Sequence, residues 1–180
     1  MKILGISGSL RSDSFNTAAL RVAADVAPDG VTVEVHPLND IPLYNFDVEE
    51  EVGFPEPVAV LRQAMADADG LLIASPEYNY SMTGALKNAI DWASRGGSDS
   101  PLKFIPTAML GVGGRFGTLR AQLHLREVML HAQARVVDDI QVYIPRSDAE
   151  FDDDRKVTSE RYVHQIERLV AALAELINHG

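Results

Sequence analysis

Short apolar runs alternate with longer amphipathic segments along the whole chain, and this alternation constrains the fold more than any other feature of the sequence. Residues 2–7 form a run that predicts a buried central strand, and residues 70–74 and 107–112 are continuous apolar runs of strand length. Each run leads through a loop into a segment with helical periodicity. This pattern is typical of βαβ units, whose strands form a mainly parallel sheet with helices on both faces.

The remaining elements complete one predicted domain over residues 1–180. Residues 31–36 alternate between valine and polar side chains, which predicts a half-exposed edge strand. A fifth strand is predicted within residues 136–144, where two aspartates interrupt the apolar pattern. Helices are predicted over about 16–26, 83–94, 118–131 and 159–178, the last with Thr158 as its N-cap, and residues 37–57 are predicted to form a surface loop.

The composition excludes several classes of function. With 16 basic and 26 acidic residues the formal net charge is −10, which argues against binding to nucleic acid or to anionic lipid. The chain has no cysteine, so disulfides, thiolate nucleophiles and Cys-based metal sites are excluded and any redox chemistry requires a cofactor. The histidines lack metal-ligand spacing, and no apolar run has the length of a signal peptide or a membrane span. We therefore expect a cytoplasmic protein with no metal site and no membrane insertion.

In an open parallel sheet the ligand binds at the carboxyl ends of the strands, where the loop after the first predicted strand has the composition of an anion site. Ser9, Arg11, Ser14 and Asn16 offer donors there, and the next helix directs its N-terminal N–H groups to the same place. The loop lacks a P-loop ending and a dinucleotide fingerprint, so a phosphate monoester such as that of FMN suits it best. In the alternative interpretation, Ser14 or Asn16 only caps the helix and Arg11 is a solvated charge.

The loop after the third predicted strand combines rigidity with aromatic and amide groups. Pro76 fixes one φ angle, while Tyr78, Asn79 and Tyr80 offer apolar faces and hydrogen-bonding groups. A flavin ring needs this mixture of apolar contact and edge hydrogen bonds. The alternative is that the tyrosines pack structurally and that Glu77 is only solvated.

Together these segments resemble the NADPH-dependent FMN reductase family of flavodoxin-like proteins, which includes bacterial quinone, chromate and azo reductases. The resemblance rests on residues 8–11 (Gly-Ser-Leu-Arg), on Ser14 with Asn16, on residues 75–79 (Ser-Pro-Glu-Tyr-Asn), and on Gly84 with residues 86–92 (Leu-Lys-Asn-Ala-Ile-Asp-Trp). One departure is Thr83, which stands where many members have a proline. The implied fold is a flavodoxin-like doubly wound α/β structure with five parallel strands in the order 2-1-3-4-5.

The resemblance also implies the cofactor site. The loop after the fourth predicted strand would flank the pyrimidine edge of the flavin, where Arg115 would stabilise negative charge on the reduced ring; alternatively, Arg115 is a solvated side chain in a glycine-rich turn. The residues expected to bind FMN are Ser9, Arg11, Ser14, Phe15, Asn16, Pro76, Glu77, Tyr78, Asn79, Gly113, Gly114 and Arg115.

The implied activity is that of an FMN-dependent oxidoreductase with NADPH or NADH as electron donor. Electrons would pass by a ping-pong mechanism to a small acceptor such as a quinone, a flavin, an azo compound or a metal oxyanion. No catalytic side chain is required, because the flavin performs the chemistry. One alternative is a flavodoxin-type electron carrier, whose phosphate loop is typically rich in threonine and glycine without an arginine. Another is a regulatory protein that has kept the fold and lost the flavin.

Apolar residues on two predicted helices suggest self-association. Ile90, Trp92, Leu123, Leu125 and Met129 exceed what one core-facing stripe requires. We expect a homodimer or homotetramer in which the neighbouring subunit helps to wall the nicotinamide pocket. The alternative is that these side chains complete a thick core within one subunit.

Overall fold

A computed structural model describes residues 1–146 and 150–179. The strands are β1 (Lys2–Ser7), β2 (Thr32–His36), β3 (Gly70–Ala74), β4 (Pro106–Gly113), β5 (Arg135–Val136) and β6 (Val142–Pro145). The helices are α1 (Phe15–Asp25), α2 (Phe46–Val52), α3 (Glu56–Ala66), α4 (Gly84–Ala93), α5 (Leu119–His131) and α6 (Glu160–Asn178), with a 3₁₀ turn at Gly97–Asp99.

The strands form one parallel sheet in the order β2-β1-β3-β4-β5, with β6 also paired to β4. The predicted order and the edge position of β2 are therefore confirmed. In the register of the central strands, Ser7 pairs with Ala74 and Ala74 pairs with Leu110. Strands β1 and β3 thus end at the same level, while β4 continues past them to Gly113, and the loops that follow all three leave from one edge of the sheet.

The predicted fifth strand is divided into two short pieces that both pair with β4. Asp138 and Asp139 lie between the pieces and are both exposed. Two consecutive solvated side chains do not fit a strand whose alternate residues face opposite covered sides of a sheet. The single strand expected over 136–144 is therefore corrected to β5 and β6.

Two hydrophobic layers cover the sheet. One layer lies under α1 and α6 and includes Leu20 and Ile166, and the other lies under α3, α4 and α5 and includes Leu61 and Leu86. This arrangement is the doubly wound α/β structure that was predicted. Among the helices in the described part of the chain, none is both long and apolar enough to span a bilayer.

The predicted surface loop over residues 37–57 contains helix α2 and packs on α4. Asn45 caps α2 by accepting a hydrogen bond from the Asp47 N–H at 3.0 Å. The Trp92 indole N–H donates to the Pro42 carbonyl at 2.8 Å. The expectation of an irregular loop is therefore wrong, because its acidic cluster forms a capped helix and its proline-flanked start covers Trp92.

Two other helix assignments also differ from the sequence expectations. Helix α3 was not predicted, although Val58, Leu61 and Met65 follow helical spacing and are its buried residues. Ser159, one residue after the predicted Thr158, is the N-cap of α6, and it makes no side-chain capping bond.

Four of the residues expected to form a subunit interface are core residues. Ile90, Trp92, Leu125 and Met129 are at most 3% exposed, whereas Leu123 is 51% exposed. The apolar excess on these helices therefore completes the core of one subunit, as in the alternative interpretation. Self-association stays a prediction that needs other support.

Candidate active site

A pocket of about 400 Å³ opens at the carboxyl ends of the strands, where the loops after β1, β3, β4 and β6 meet. Its lining residues are Ser9, Arg11, Ser14, Phe15, Asn16, Pro76, Glu77, Tyr78, Val112, Gly113, Gly114 and Arg146. Most of the predicted site residues thus come together in one cavity. Asn79 and Arg115 lie outside this lining, although each follows a lining residue in the chain.

The loop after β1 is held by its own hydroxyl groups. Ser14 is the N-cap of α1, and its Oγ accepts hydrogen bonds from the Asn16 and Thr17 N–H groups at 3.2 and 3.3 Å. Ser9 Oγ accepts from the Arg11 N–H at 3.4 Å. The Arg11 side chain is exposed at the pocket wall and forms no ion pair within the described residues. Ser14 therefore caps the helix and also lines the pocket.

Asn16 joins α1 to the end of β4. Its side-chain amide donates to the Val112 carbonyl at 3.0 Å, and its Oδ1 accepts from the Val112 N–H at 2.8 Å. Asn16 is only 3% exposed. Both polar ends of this side chain are thus engaged within the protein, and its direct contact with a ligand stays a prediction.

The loop after β3 contains a tight hairpin turn. Tyr78 and Ser81 exchange two backbone hydrogen bonds of 2.9 and 3.0 Å. Between them, Asn79 and Tyr80 have φ angles of 49° and 66°. Two central residues with positive φ define a turn of the I′ class, which matches the twist of paired strands. The turn directs Asn79 and Tyr80 to an exposed tip, while Tyr78 stays at the pocket.

Thr83 connects this loop to the loop after β1. Its hydroxyl donates to the Gly8 carbonyl at 2.5 Å and accepts from the Leu86 N–H at 3.2 Å, which caps α4. A proline at this position has neither of these bonds. The departure from the family pattern therefore replaces a rigid ring with a hydrogen-bonded link.

Glu77 caps a helix that belongs to a different loop. Its Oε2 accepts hydrogen bonds from the Arg120 and Ala121 N–H groups at 2.9 and 3.1 Å. Thr118, the N-cap of α5, makes no side-chain capping bond of its own. A carboxylate at this position satisfies N–H groups of the first turn and interacts favourably with the helix dipole. The interpretation of Glu77 as only a solvated side chain is therefore wrong.

The end of β4 is closely packed against its surroundings, whereas the first residue of the loop after it is open. A Cβ on Gly111 would lie 2.0 Å from Thr118 Oγ1, and one on Gly113 would lie 2.3 Å from the Gly117 carbonyl oxygen. A Cβ on Gly114 would meet no atom within 4 Å. Gly111 and Gly113 are therefore required by the protein's own packing, while Gly114 presents open backbone to the pocket.

Arg115, which was expected at the flavin edge, lies outside the pocket lining, and Arg146, which was not predicted, lines the pocket. Arg115 is exposed outside the lining, 5.7 Å from the Phe116 ring. Arg146 lines the pocket, donates its backbone N–H to the Gly113 carbonyl at 2.6 Å and lies 5.5 Å from the Phe15 ring. Sequence reasoning missed Arg146 because it considered only loops after the three central strands. The same rule applied to the fifth predicted strand would have found it.

The charges of the pocket suit a phosphate group. Among the described residues, Arg11 and Arg146 are the cations of its lining, and Glu77, the one carboxylate, is engaged in capping α5. The N-terminus of α1 adds positive partial charge. Within the described residues, no group of three or more His, Asp or Glu side chains is arranged to hold a metal ion.

Comparison with known proteins gives concordant results. Residues 1–149 match the model of a family described as NADPH-dependent FMN reductase. The chain is 44% identical over 174 residues to an NAD(P)H-dependent FMN reductase of Pseudomonas aeruginosa, which covers 96% of this chain and 93% of that protein. It is 42% identical over 143 residues to a quinone reductase of Escherichia coli K12, which covers 77% and 74% of the two chains.

A solved structure has the same fold over nearly the full length of both chains. FerB of Paracoccus denitrificans, a flavoenzyme NAD(P)H:(acceptor) oxidoreductase, superposes with a TM-score of 0.88 at 30% identity. The match covers 99% of this chain and 97% of FerB.

Proposed function

The chain belongs to the NADPH-dependent FMN reductase family, and we propose that it holds FMN in the pocket at the carboxyl ends of β1, β3 and β4. It is an NAD(P)H-dependent FMN and quinone reductase. The observation that carries the site proposal is a single cavity where hydroxyls, two arginines, a helix N-terminus and an aromatic loop converge. We also propose that residues 1–180 form one domain.

The phosphate end of the proposed site lies at the start of α1. The Ser9 and Ser14 hydroxyls and the Arg11 guanidinium face this part of the cavity. Arg146 also lines the cavity, with its guanidinium beside the Phe15 ring. Charge-assisted hydrogen bonds from an arginine to a phosphate are shorter and stronger than bonds between neutral groups. Arg11 and Arg146 therefore make the largest side-chain contributions to cofactor affinity in this proposal.

The ring end of the proposed site lies between two loops. Pro76, Glu77 and Tyr78 form one wall, and Gly113 and Gly114 form the other. Gly114 leaves open space beside the backbone, which suits the edge of a flat ligand. Asn79 and Arg115 stay in the proposed set as the weaker members, because both are exposed and adjacent to lining residues.

FMN supplies the two-electron chemistry that the side chains of this cysteine-free chain lack. The role of the protein is to orient the bound ring and leave one side open to small molecules. In the proposed ping-pong mechanism, NADPH or NADH occupies the open side first and leaves as NAD(P)⁺. A quinone, a flavin, an azo compound or a metal oxyanion then occupies the same place and accepts the two electrons. No side chain of the pocket needs to act as a general acid or base.

An exposed apolar surface near the pocket supports self-association as part of the proposal. Tyr80, Phe116, Leu119 and Leu123 are 64%, 71%, 41% and 51% exposed. Patches of this kind commonly mark interfaces between subunits. We propose a homodimer or homotetramer in which subunit contacts cover this surface. We also propose that the protein acts in the cytoplasm. Light scattering tests the assembly, and a mass near 19.6 kDa with full activity would contradict a site shared between subunits.

An anaerobic titration tests the proposed activity. The purified protein is loaded with FMN and mixed with NADPH while absorbance is followed near the flavin band at about 450 nm. We expect complete bleaching with one equivalent of NADPH and recovery of the band after addition of a benzoquinone. An electron carrier without NAD(P)H activity would keep its absorbance. A protein without flavin would show no band after loading and desalting.

Steady-state kinetics test the order of the two half-reactions. Initial rates are measured with several concentrations of NADPH and of quinone, and parallel double-reciprocal plots are expected for a ping-pong mechanism. Intersecting lines would show that both substrates are bound together. That result would overturn the proposal of one shared place without affecting the assignment of the FMN site.

A further inference from the structure

A second pocket of about 460 Å³ lies on the far side of the loop after β1. It shares Ser9 and Arg11 with the proposed FMN pocket, so the two cavities adjoin across this loop. The second pocket is lined by Ser7, Ser9, Leu10, Arg11, Ser12, Thr17, Arg21, Val35, His36, Pro37 and Asn39. The proposed FMN site accounts for only the two shared residues among them.

The lining of this second pocket is basic in an acidic protein. Within the described part of the chain it contains Arg11, Arg21 and His36 and no carboxylate, whereas the whole chain carries a net charge of −10. Arg11 and Arg21 form no ion pair within the described residues. A cavity in which cations converge without acidic partners attracts an anion, and an arginine suits a phosphate because of its planar set of donors.

The same pocket also presents apolar and amide groups. Leu10 and Val35 are 51% and 37% exposed, and Pro37 lies beside them in the lining. Asn39 adds an amide that both donates and accepts hydrogen bonds. Apolar faces together with an amide suit a nucleoside base. An inorganic anion alone would form no favourable contact with the apolar side chains.

His36 lines the second pocket at the carboxyl end of β2. Burial lowers the pKa of its imidazole, so near neutral pH this side chain is mainly a neutral donor and acceptor. Arg21 projects from the exposed side of α1 and also borders a smaller cavity lined by Asp13, Asp153 and Asp154. These acids do not line the second pocket, and Asp13 is paired with Arg155 rather than with Arg21.

We propose that the second pocket binds the 2′-phosphoadenosine end of NADPH, with Arg21 and His36 as specificity-determining residues for the 2′-phosphate. The proposal rests on the proposed function, because it needs NADPH as the electron donor. Arg11 lines both cavities, so its positive charge is available to the FMN phosphate on one side and to the NADPH phosphates on the other. Only NADPH carries the 2′-phosphate, so this pocket would make the enzyme favour NADPH over NADH.

Isothermal titration calorimetry tests binding without catalysis. The FMN-loaded protein is titrated with adenosine 2′,5′-bisphosphate and with adenosine 5′-monophosphate, which differ only in the 2′-phosphate. We expect the bisphosphate to bind at least about tenfold more tightly, as for charge-assisted hydrogen bonds. Arg21→Ala should abolish this difference, and Arg21→Lys should retain part of it. Arg168→Ala, which removes an exposed arginine from α6, is the matched control and should leave the difference unchanged.

Kinetics with both donors complete the test. Arg21→Ala should raise the KM for NADPH about tenfold and leave the KM for NADH, the kcat and the FMN content unchanged. Equal binding of the two adenosine nucleotides by the wild-type protein would overturn the inference. Equal losses with NADPH and NADH, or no loss with either, would also overturn it. If neither donor reduces the wild-type protein, the proposed function fails instead, and calorimetry still decides whether the pocket recognises a 2′-phosphate.

Discussion

The loops after β1 and β4 share residue types but contribute different groups to the pocket. Each follows a central strand, contains glycine and carries one arginine. In the loop after β1, the hydroxyls and the Arg11 side chain line the pocket. At the end of β4, Gly111 and Gly113 are packed against neighbouring atoms, and in the loop that follows Arg115 lies outside the lining. The first loop therefore contributes side chains to a ligand site, and the second contributes mainly backbone.

This difference shows that a glycine or an arginine at the end of a strand does not by itself indicate a ligand site. A glycine serves a ligand only where open space lies next to it, as at Gly114. A glycine without such space, such as Gly111, serves the fold. The direction of an arginine side chain decides its role in the same way, and composition does not reveal that direction.

The largest effect is expected for Gly111→Ala. Its new Cβ would lie 2.0 Å from Thr118 Oγ1 and 2.4 Å from the Ser75 carbonyl oxygen. Relief requires movement of backbone as well as of a side chain, so we expect the free energy of unfolding to fall by about 3 kcal/mol. Urea denaturation of the protein without FMN measures this change.

Gly114→Ala is the matched control for that prediction. It adds the same methyl group a few residues away, where no atom lies within 4 Å. Its effect on the free energy of unfolding should stay below about 0.5 kcal/mol. Equal effects of the two substitutions on the free energy of unfolding would remove the distinction between the packed glycine in β4 and the open glycine in the loop after it.

The next largest effect is expected for Arg11→Ala. Loss of a charge-assisted hydrogen bond should weaken FMN binding by about 2 kcal/mol, or about 30-fold, without unfolding the chain. Arg115→Ala removes the same charge from the other loop and should change the affinity by less than about 0.5 kcal/mol. Fluorescence titration of the apoprotein with FMN compares the two variants. Unchanged affinity in Arg11→Ala would remove Arg11 from the site, and a larger loss in Arg115→Ala would reverse the roles of the two loops.

The sheet was predictable from the sequence because its central strands are apolar on both faces. The buried runs of β1, β3 and β4 have no other place than the middle of a parallel sheet. The pocket followed from the rule that ligands bind at the carboxyl ends of such strands. Most of the predicted lining therefore required only the order of the elements.

Other features depended on geometry that the sequence does not specify. Asn79 lies outside the pocket because a turn with two positive φ angles directs it to an exposed tip. Arg146 lines the pocket because β6 resumes the interrupted fifth strand and ends beside Gly113. Glu77 caps a helix 43 residues later in the chain. The Glu77 cap results from a long-range contact that a local pattern cannot specify, the position of Asn79 depends on turn angles, and Arg146 was within reach of the strand-end rule applied to the fifth strand.

A smaller effect is expected for Glu77, which extends the comparison to the loop after β3. Glu77→Ala removes the acceptor for two N–H groups at the start of α5. We expect the free energy of unfolding to fall by about 1 kcal/mol, as for loss of a helix cap. Glu127→Ala removes an exposed carboxylate from the middle of the same helix and should change stability by less than about 0.5 kcal/mol. Urea denaturation of both variants without FMN makes the comparison, and a neutral Glu77→Ala would show that the cap contributes no stability.

The smallest effect is expected within one turn, where Tyr78 lines the pocket and Tyr80 does not. Tyr80→Gly should relieve about 1 kcal/mol of strain from a left-handed backbone, because its φ is 66°. It should also lose a cation–π contact worth about 0.5 to 1 kcal/mol, since the Arg120 guanidinium lies 3.9 Å from the ring. The two terms nearly cancel, so little change in the free energy of unfolding is expected. In an Arg120→Ala background the contact is already absent, and Tyr80→Gly should then stabilise the protein by about 1 kcal/mol. Urea denaturation of the four proteins of this cycle measures both terms. Identical effects of Tyr80→Gly in the two backgrounds would show that the cation–π contact contributes nothing.

FMN affinity should fall in Tyr78→Ala and not in Tyr80→Gly, because only Tyr78 lines the proposed FMN pocket.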